Sequence, residues 1–158
     1  MNIDSHVHFW KFDPVRDAWI SEEMAVLRQD YLPQQVKQVF IENGIDGCIA
    51  VQADQSETET NFLLALANAH PFIKGVVGWI DLRSDRLPER LEHYAQLPVI
   101  KGWRHIVQAE PDGFLKQENF RRGVKALATH GYTYDILIYH HQLKYVLDFI
   151  HAFPDQRF

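Results

Sequence analysis

Five times along this sequence a short apolar run is followed by a longer segment with helical spacing, and that alternation restricts the chain to βα units around a parallel sheet. The runs are Ile3 to His8, Gly47 to Ala53, Gly75 to Leu82, Val99 to Ile106 and Tyr132 to Tyr139. They are too short for helices, and the second carries the β-branched pair Ile49 and Val51. The helical segments are Pro33 to Asn43, stopped by Gly44; Glu57 to Ala69, before Pro71; Pro88 to Gln96, before Pro98; Asn119 to Thr129, before Gly131; and Gln142 to Ala152, before Pro154. Phe62, Leu63, Leu66 and Ala69 predict one buried stripe, and Leu143, Val146, Leu147 and Ile150 another. With right-handed connections the pattern gives either an open doubly wound sheet or part of an eight-stranded barrel, and periodicity does not choose between them.

The 158 residues, 46% hydrophobic, have the size and apolar fraction of one domain spanning 1–158. A net charge of -5, with no basic run longer than Arg121-Arg122, argues against nucleic acid or an anionic membrane surface as partner. Neither G-x-G-x-x-G nor G-x-x-x-x-G-K-[ST] occurs, so a nucleotide is disfavoured and a small molecule of another kind is the expected partner. Cys48 has no second thiol to pair with, no run of 18 apolar residues exists, and Met1-Asn2-Ile3-Asp4-Ser5-His6 lacks the features of a signal peptide. A cytoplasmic location is the expectation.

Asp4-Ser5-His6-Val7-His8-Phe9-Trp10 carries the strongest chemical signal. Residues two apart on a strand point to the same side, so His6 and His8 can project together into a barrel mouth. Such a pair can hold two positions of a divalent metal such as Zn, or bind and polarise a carbonyl directly. The alternative is one imidazole in the core and the other in solvent.

Further along, Arg104 and His105 are adjacent on the fourth run and so face opposite sides unless the strand ends there. The run gives way to Gln108-Ala109-Glu110-Pro111, and at that edge both can reach the face where barrel enzymes place their sites. Arg104 suits a carboxylate or a developing oxyanion, and His105 a hydroxyl or carbonyl; a structural ion pair is the alternative for Arg104. Gln52 and Asp54 end the second run, as pocket wall or helix cap. Asp135, inside the fifth, must be paired or pocket-facing, because a lone buried carboxylate is costly. His140 and His141 follow the fifth run, whereas His70, His93, His130 and His151 fall in or at the ends of helices.

Ile3-Asp4-Ser5-His6-Val7-His8-Phe9-Trp10 resembles the opening strand of the amidohydrolase superfamily, especially the branch of L-fuconolactonase, L-rhamnonolactonase and 2-pyrone-4,6-dicarboxylate lactonase. Val76-Val77-Gly78-Trp79-Ile80-Asp81-Leu82 is similar to that branch's third strand, Ile100-Lys101-Gly102-Trp103-Arg104-His105 with Gln108 to its fourth, and Tyr134-Asp135-Ile136-Leu137 to its fifth. The resemblance spans nearly the whole chain. It implies an α/β fold, the first five strand-helix units of an incomplete TIM (β/α)8-type barrel, and a hydrolase opening a sugar lactone by attack of water on the ring carbonyl.

On that resemblance His6, His8, Arg104 and His105 are the expected catalytic residues, and Trp10, Gln52, Trp79, Gln108 and Asp135 the expected substrate contacts. The general base is then a carboxylate of the final strand, outside this sequence. Members of the branch differ in metal use, and His6 with His8 fall short of the three protein ligands of a usual catalytic zinc site. An unclosed barrel exposes sheet edges, so association with another copy, poor solubility and negligible activity of the isolated chain are expected. The alternatives are an amide hydrolase or decarboxylase of the same superfamily, and a non-catalytic α/β binding module.

Overall fold

A computed structural model describes residues 1–158. Five strands, β1 (Ile3–Val7), β2 (Gly47–Val51), β3 (Ile73–Gly78), β4 (Ile100–Ile106) and β5 (Thr133–Leu137), form one sheet in the order β1-β2-β3-β4-β5. Every pairing is parallel. Sequential order is that of a barrel, since a doubly wound sheet reverses direction at a switch point. The sheet curls into a half-barrel, and Arg157 pairs in parallel with Thr133 beyond β5.

Helices α1 (Pro33–Glu42), α2 (Glu57–Ala69), α3 (Leu87–Ala95), α4 (Glu118–Thr129) and α5 (Leu143–His151) connect and follow the strands. Pro33 occupies the first turn of α1, where its missing N–H costs nothing, and Gly44 at φ 65° ends that helix in the left-handed region. Ser56 caps α2 by accepting the Glu59 N–H.

Apolar faces pack into two clusters. One holds Phe9, Phe40, Cys48, Ala50, Leu63, Ile73 and Val76, joining β1–β3 to α1 and α2. The larger is built on Trp103 and Tyr134 of β4 and β5, with Tyr94 of α3, Phe120 and Leu127 of α4 and Phe149 of α5.

Three expectations are corrected. The third strand begins at Ile73 and ends at Gly78, short of Leu82, because the Trp79 backbone N–H and C=O both bond the Thr60 hydroxyl of α2, at 2.9 and 2.8 Å. The stripe on α5 is displaced: Val146 and Phe149 are buried, whereas Leu143 and Leu147 are exposed. Ala69 is likewise exposed, so the buried side of α2 runs through Glu59, Thr60 and Leu63. Residues 10–31, left unassigned by periodicity, form a lobe with a 3₁₀ segment, Glu22–Leu27, pinned by the antiparallel bridge of Trp10 with Tyr31.

Candidate active site

His6 and His8 share one side of β1, as alternation requires, with their Nε2 atoms 3.1 Å apart. His8 Nδ1 lies 2.8 Å from the Val51 carbonyl, which can only accept, so Nδ1 carries the proton and Nε2 is left as an acceptor. The Arg104 guanidinium reaches across from β4, its Nη1 3.3 Å from His6 Nε2. His6 Nε2 cannot both donate to His8 and accept from Arg104. In either tautomer one group stays free for a ligand: the His8 lone pair or an Arg104 N–H.

Arg104 is buried and held by Gln52. Its Nη2 donates to the Gln52 carbonyl and to Gln52 Oε1, the latter at 3.2 Å, while Gln52 Nε2 donates back to the Arg104 carbonyl at 3.2 Å. Its Nε has no partner. Asp135 stands beside it in register on β5. Burial raises the Asp135 carboxyl above its ordinary range, opposed by the positive fields of Arg104 and His6. Burial also lowers the Arg104 guanidinium, against the attraction of Asp135 and Glu59.

A cleft of about 290 Å³ opens beside this cluster, small for a ligand pocket. Its lining includes His8 and Arg104, Asp54 and Glu59, and Trp10, Trp19, Ile20 and Leu27 of the 10–31 lobe. Of these, Trp10 is an expected substrate contact, whereas Trp19, Ile20 and Leu27 were not legible in the sequence, because their segment lacks strand or helix periodicity.

His105 is not brought into the cluster. It points to the helix-facing side of β4, stacks on Phe114 with ring centroids 4.8 Å apart, and sits 2.7 Å from Glu110 Oε1 through Nε2. The Trp79 indole N–H donates to its Nδ1 at 3.3 Å, so Nε2 bears the proton and the ring is neutral. Burial depresses its pKa despite Glu110. The strand does not end at Arg104, and the adjacent residues therefore diverge. Trp79 is placed with His105 rather than with His6, and the Gln108 amide is turned to the Ile138 carbonyl at 3.3 Å. His140 and His141 are exposed at the end of β5.

Sequence reasoning missed Glu59. Ser56-Glu57-Thr58-Glu59 has the S-x-x-E form of a capping box. Its carboxylate, though, accepts from the Ala53 and Asp54 N–H groups at the end of β2, the second at 2.9 Å.

A zinc ion bound to two imidazoles lies about 2.0–2.1 Å from each nitrogen, and the His6–His8 spacing suits that. The same nitrogens face the Arg104 cation, however, and no group of three His, Cys, Asp or Glu converges here. These residues supply two nitrogen ligands beside a repelling charge, one short of the three protein ligands of a usual catalytic zinc site.

The amidohydrolase family model matches residues 3–158. The chain belongs to the amidohydrolase family. This amidohydrolase chain is 39% identical over 145 residues to an L-fucono-1,5-lactonase of Burkholderia multivorans, covering 90% of the chain and 49% of the relative. It is 26% identical over 156 residues to an L-fucono-1,5-lactonase of Burkholderia ambifaria, covering 98% and 54%. A crystal structure of an amidohydrolase from Burkholderia multivorans with bound Zn superimposes with a TM-score of 0.94 at 38% identity, over 98% of this chain and 55% of that one. The amidohydrolase chain thus spans about half the length of the relatives it matches.

Proposed function

We propose that the protein takes part in hydrolysis of a sugar lactone, with Arg104 donating to and polarising the ring carbonyl and His6 and His8 binding the substrate beside it, the His8 Nε2 lone pair accepting from a hydroxyl or a water. The observation that carries the reading is the convergence of two imidazole Nε2 atoms and a buried guanidinium within 3.3 Å, with one group free in every tautomer. The names of the relatives, both L-fucono-1,5-lactonases, support a small sugar lactone as substrate class.

In the proposed reaction a water oxygen forms a bond to the carbonyl carbon and gives up a proton to a general base. The π electrons move onto the carbonyl oxygen, where the Arg104 donors stabilise them. Collapse breaks the bond from that carbon to the ring oxygen, which takes a proton and leaves the open-chain hydroxy acid. Asp135 and Gln52 are proposed to orient substrate hydroxyls and Arg104 respectively, and Trp10 to border the sugar. His105, Trp79 and Gln108 would act from outside the cluster, by shaping the strand ends. The base is proposed to come from a carboxylate of a later barrel strand, as the resemblance implies. A relative's bound Zn makes a divalent ion a candidate companion; bound, it would polarise the carbonyl or a water, with His6 and His8 as its ligands from this chain.

No helix is long and apolar enough to cross a membrane. We propose a cytoplasmic location, a small-molecule partner and no nucleic-acid partner, together with self-association through the open sheet edges.

Turnover on a panel of 1,5- and 1,4-sugar lactones, followed by acid release, tests the reading with the chain alone and with a polypeptide supplying the remaining barrel strands. Acid release is expected with the combined form and negligible with the chain alone. No turnover of any lactone by the combined form would remove the proposal.

A further inference from the structure

Glu59 is a carboxylate with 6% exposure in the first turn of α2, and no Lys or Arg lies within ion-pair distance of it. A buried acid in that condition is expensive, and an uncharged residue would serve the packing. Thr60, the next residue, shows the cheaper solution: its neutral hydroxyl holds the end of β3 through both backbone groups of Trp79.

Both oxygens of Glu59 are committed to one place. They accept from the N–H groups of Ala53 and Asp54, the residues immediately after Gln52. Gln52 is fully buried and is the residue that grips Arg104 by backbone and side chain. Glu59 also lines the cleft bordered by Arg104 and His8. Arg104 itself has no carboxylate at hydrogen-bond distance, so its charge is balanced from further off by Asp135 and Glu59, across a medium that screens far less than water.

We infer that Glu59 is a positioning residue for Arg104: it fixes the backbone of residues 52–54, thereby sets the Gln52 clamp, and supplies part of the counter-charge that keeps the guanidinium buried beside His6. The inference rests on the reading of Arg104 as the carbonyl-binding group only in its kinetic consequence, not in its structural one.

The test compares ¹⁵N–¹H side-chain resonances of Arg104, assigned by their loss in Arg104→Lys, among the wild-type chain, Glu59→Gln, Glu59→Ala and Thr60→Val. Glu59→Gln keeps the shape but offers one acceptor and no charge. In it, and further in Glu59→Ala, the Arg104 signals are expected to move toward free arginine, with Ala53 and Asp54 amide exchange faster by about tenfold or more. Thr60→Val is expected to shift the Trp79 indole and leave Arg104 in place. Arg104 signals in Glu59→Gln that coincide with wild type, or that move equally in Thr60→Val, would overturn the inference; Glu59→Gln decides alone if the alanine variant does not fold. In the lactone-hydrolysing form, Glu59→Gln is expected to lower kcat by about tenfold or more with KM within about twofold. A displaced Arg104 with unchanged turnover would uphold the positioning role and count against Arg104 as the carbonyl-binding group.

Discussion

Arg104 is oriented before any ligand arrives, because Gln52 engages its Nη2 twice and His6 stands opposite its Nη1. A guanidinium fork can do this and an ammonium cannot, since one nitrogen on a flexible stem cannot satisfy Gln52 and face His6 at the same time. Arg104→Lys is therefore expected to keep the positive charge yet lower kcat for the best lactone by about 10²-fold, the usual scale for losing one aligned donor to a developing oxyanion. Steady-state kinetics with folding checked by circular dichroism measures it, and full activity in the lysine variant would show that charge alone suffices. The sequence made Arg104 and His105 equal candidates. Their separation depends on where β4 ends, and that is decided by pairing with β5, which continues through Ile106.

Among the elements, α2 and α4 show how helices set the ends of strands. The first turn of α2 holds the end of β2 through Glu59 and the end of β3 through Thr60, so one helix fixes two strand ends, the first of them carrying the Gln52 clamp on Arg104. α4 comes so close to the segment after β3 that a Cβ on Gly123 would overlap the Leu82 carbonyl oxygen. Helix propensity favours alanine over glycine by about 1 kcal/mol, but here the obstacle is backbone and cannot rotate away. Gly123→Ala is thus expected to destabilise the chain by about 1–3 kcal/mol, the range for overpacking, and urea unfolding would reveal a lower midpoint at unchanged slope. A stabilised variant would mean that α4 can shift outward freely. Helix existence was legible from spacing and from Gly and Pro stops. The close approach was not, because a glycine inside a helical pattern looks the same whether it faces solvent or a carbonyl.

At the scale of the molecule, burial of neutral imidazole couples stability to pH. His8 and His105 both titrate below the ordinary 6.5, chiefly because burial disfavours the charged ring. Between their folded pKa values and 6.5 the unfolded chain binds more protons than the folded one, so stability rises with pH through that window. Their contribution is complete above 6.5 and is lost as pH falls. Asp135 and Glu59, both raised by burial, act in the opposite sense, since the folded state takes up protons more readily than the unfolded chain above the ordinary carboxylate range. Denaturant melts between pH 5 and 8 are expected to show lower stability on the acid side of about 6.5, the reference pKa of histidine. His105→Phe should flatten that slope by removing one of the two titrations. A flat profile in the wild type would mean that neither ring is held neutral.

The sequence by itself determined the alternation of strand and helix, the parallel sheet and the two imidazoles on one side of β1, because these follow from local spacing and residue type; the amidohydrolase family was legible in it only through the resemblance of its ordered motifs to known members. Only the tertiary structure decided that the sheet runs in sequential order and curls, that Arg104 joins His6 while His105 turns into the aromatic core, and that Gln52 and Glu59 stand behind the guanidinium. Those contacts join residues far apart in sequence, such as His6 with Arg104, and their geometry comes from strand register and helix packing, which no local pattern of residues encodes.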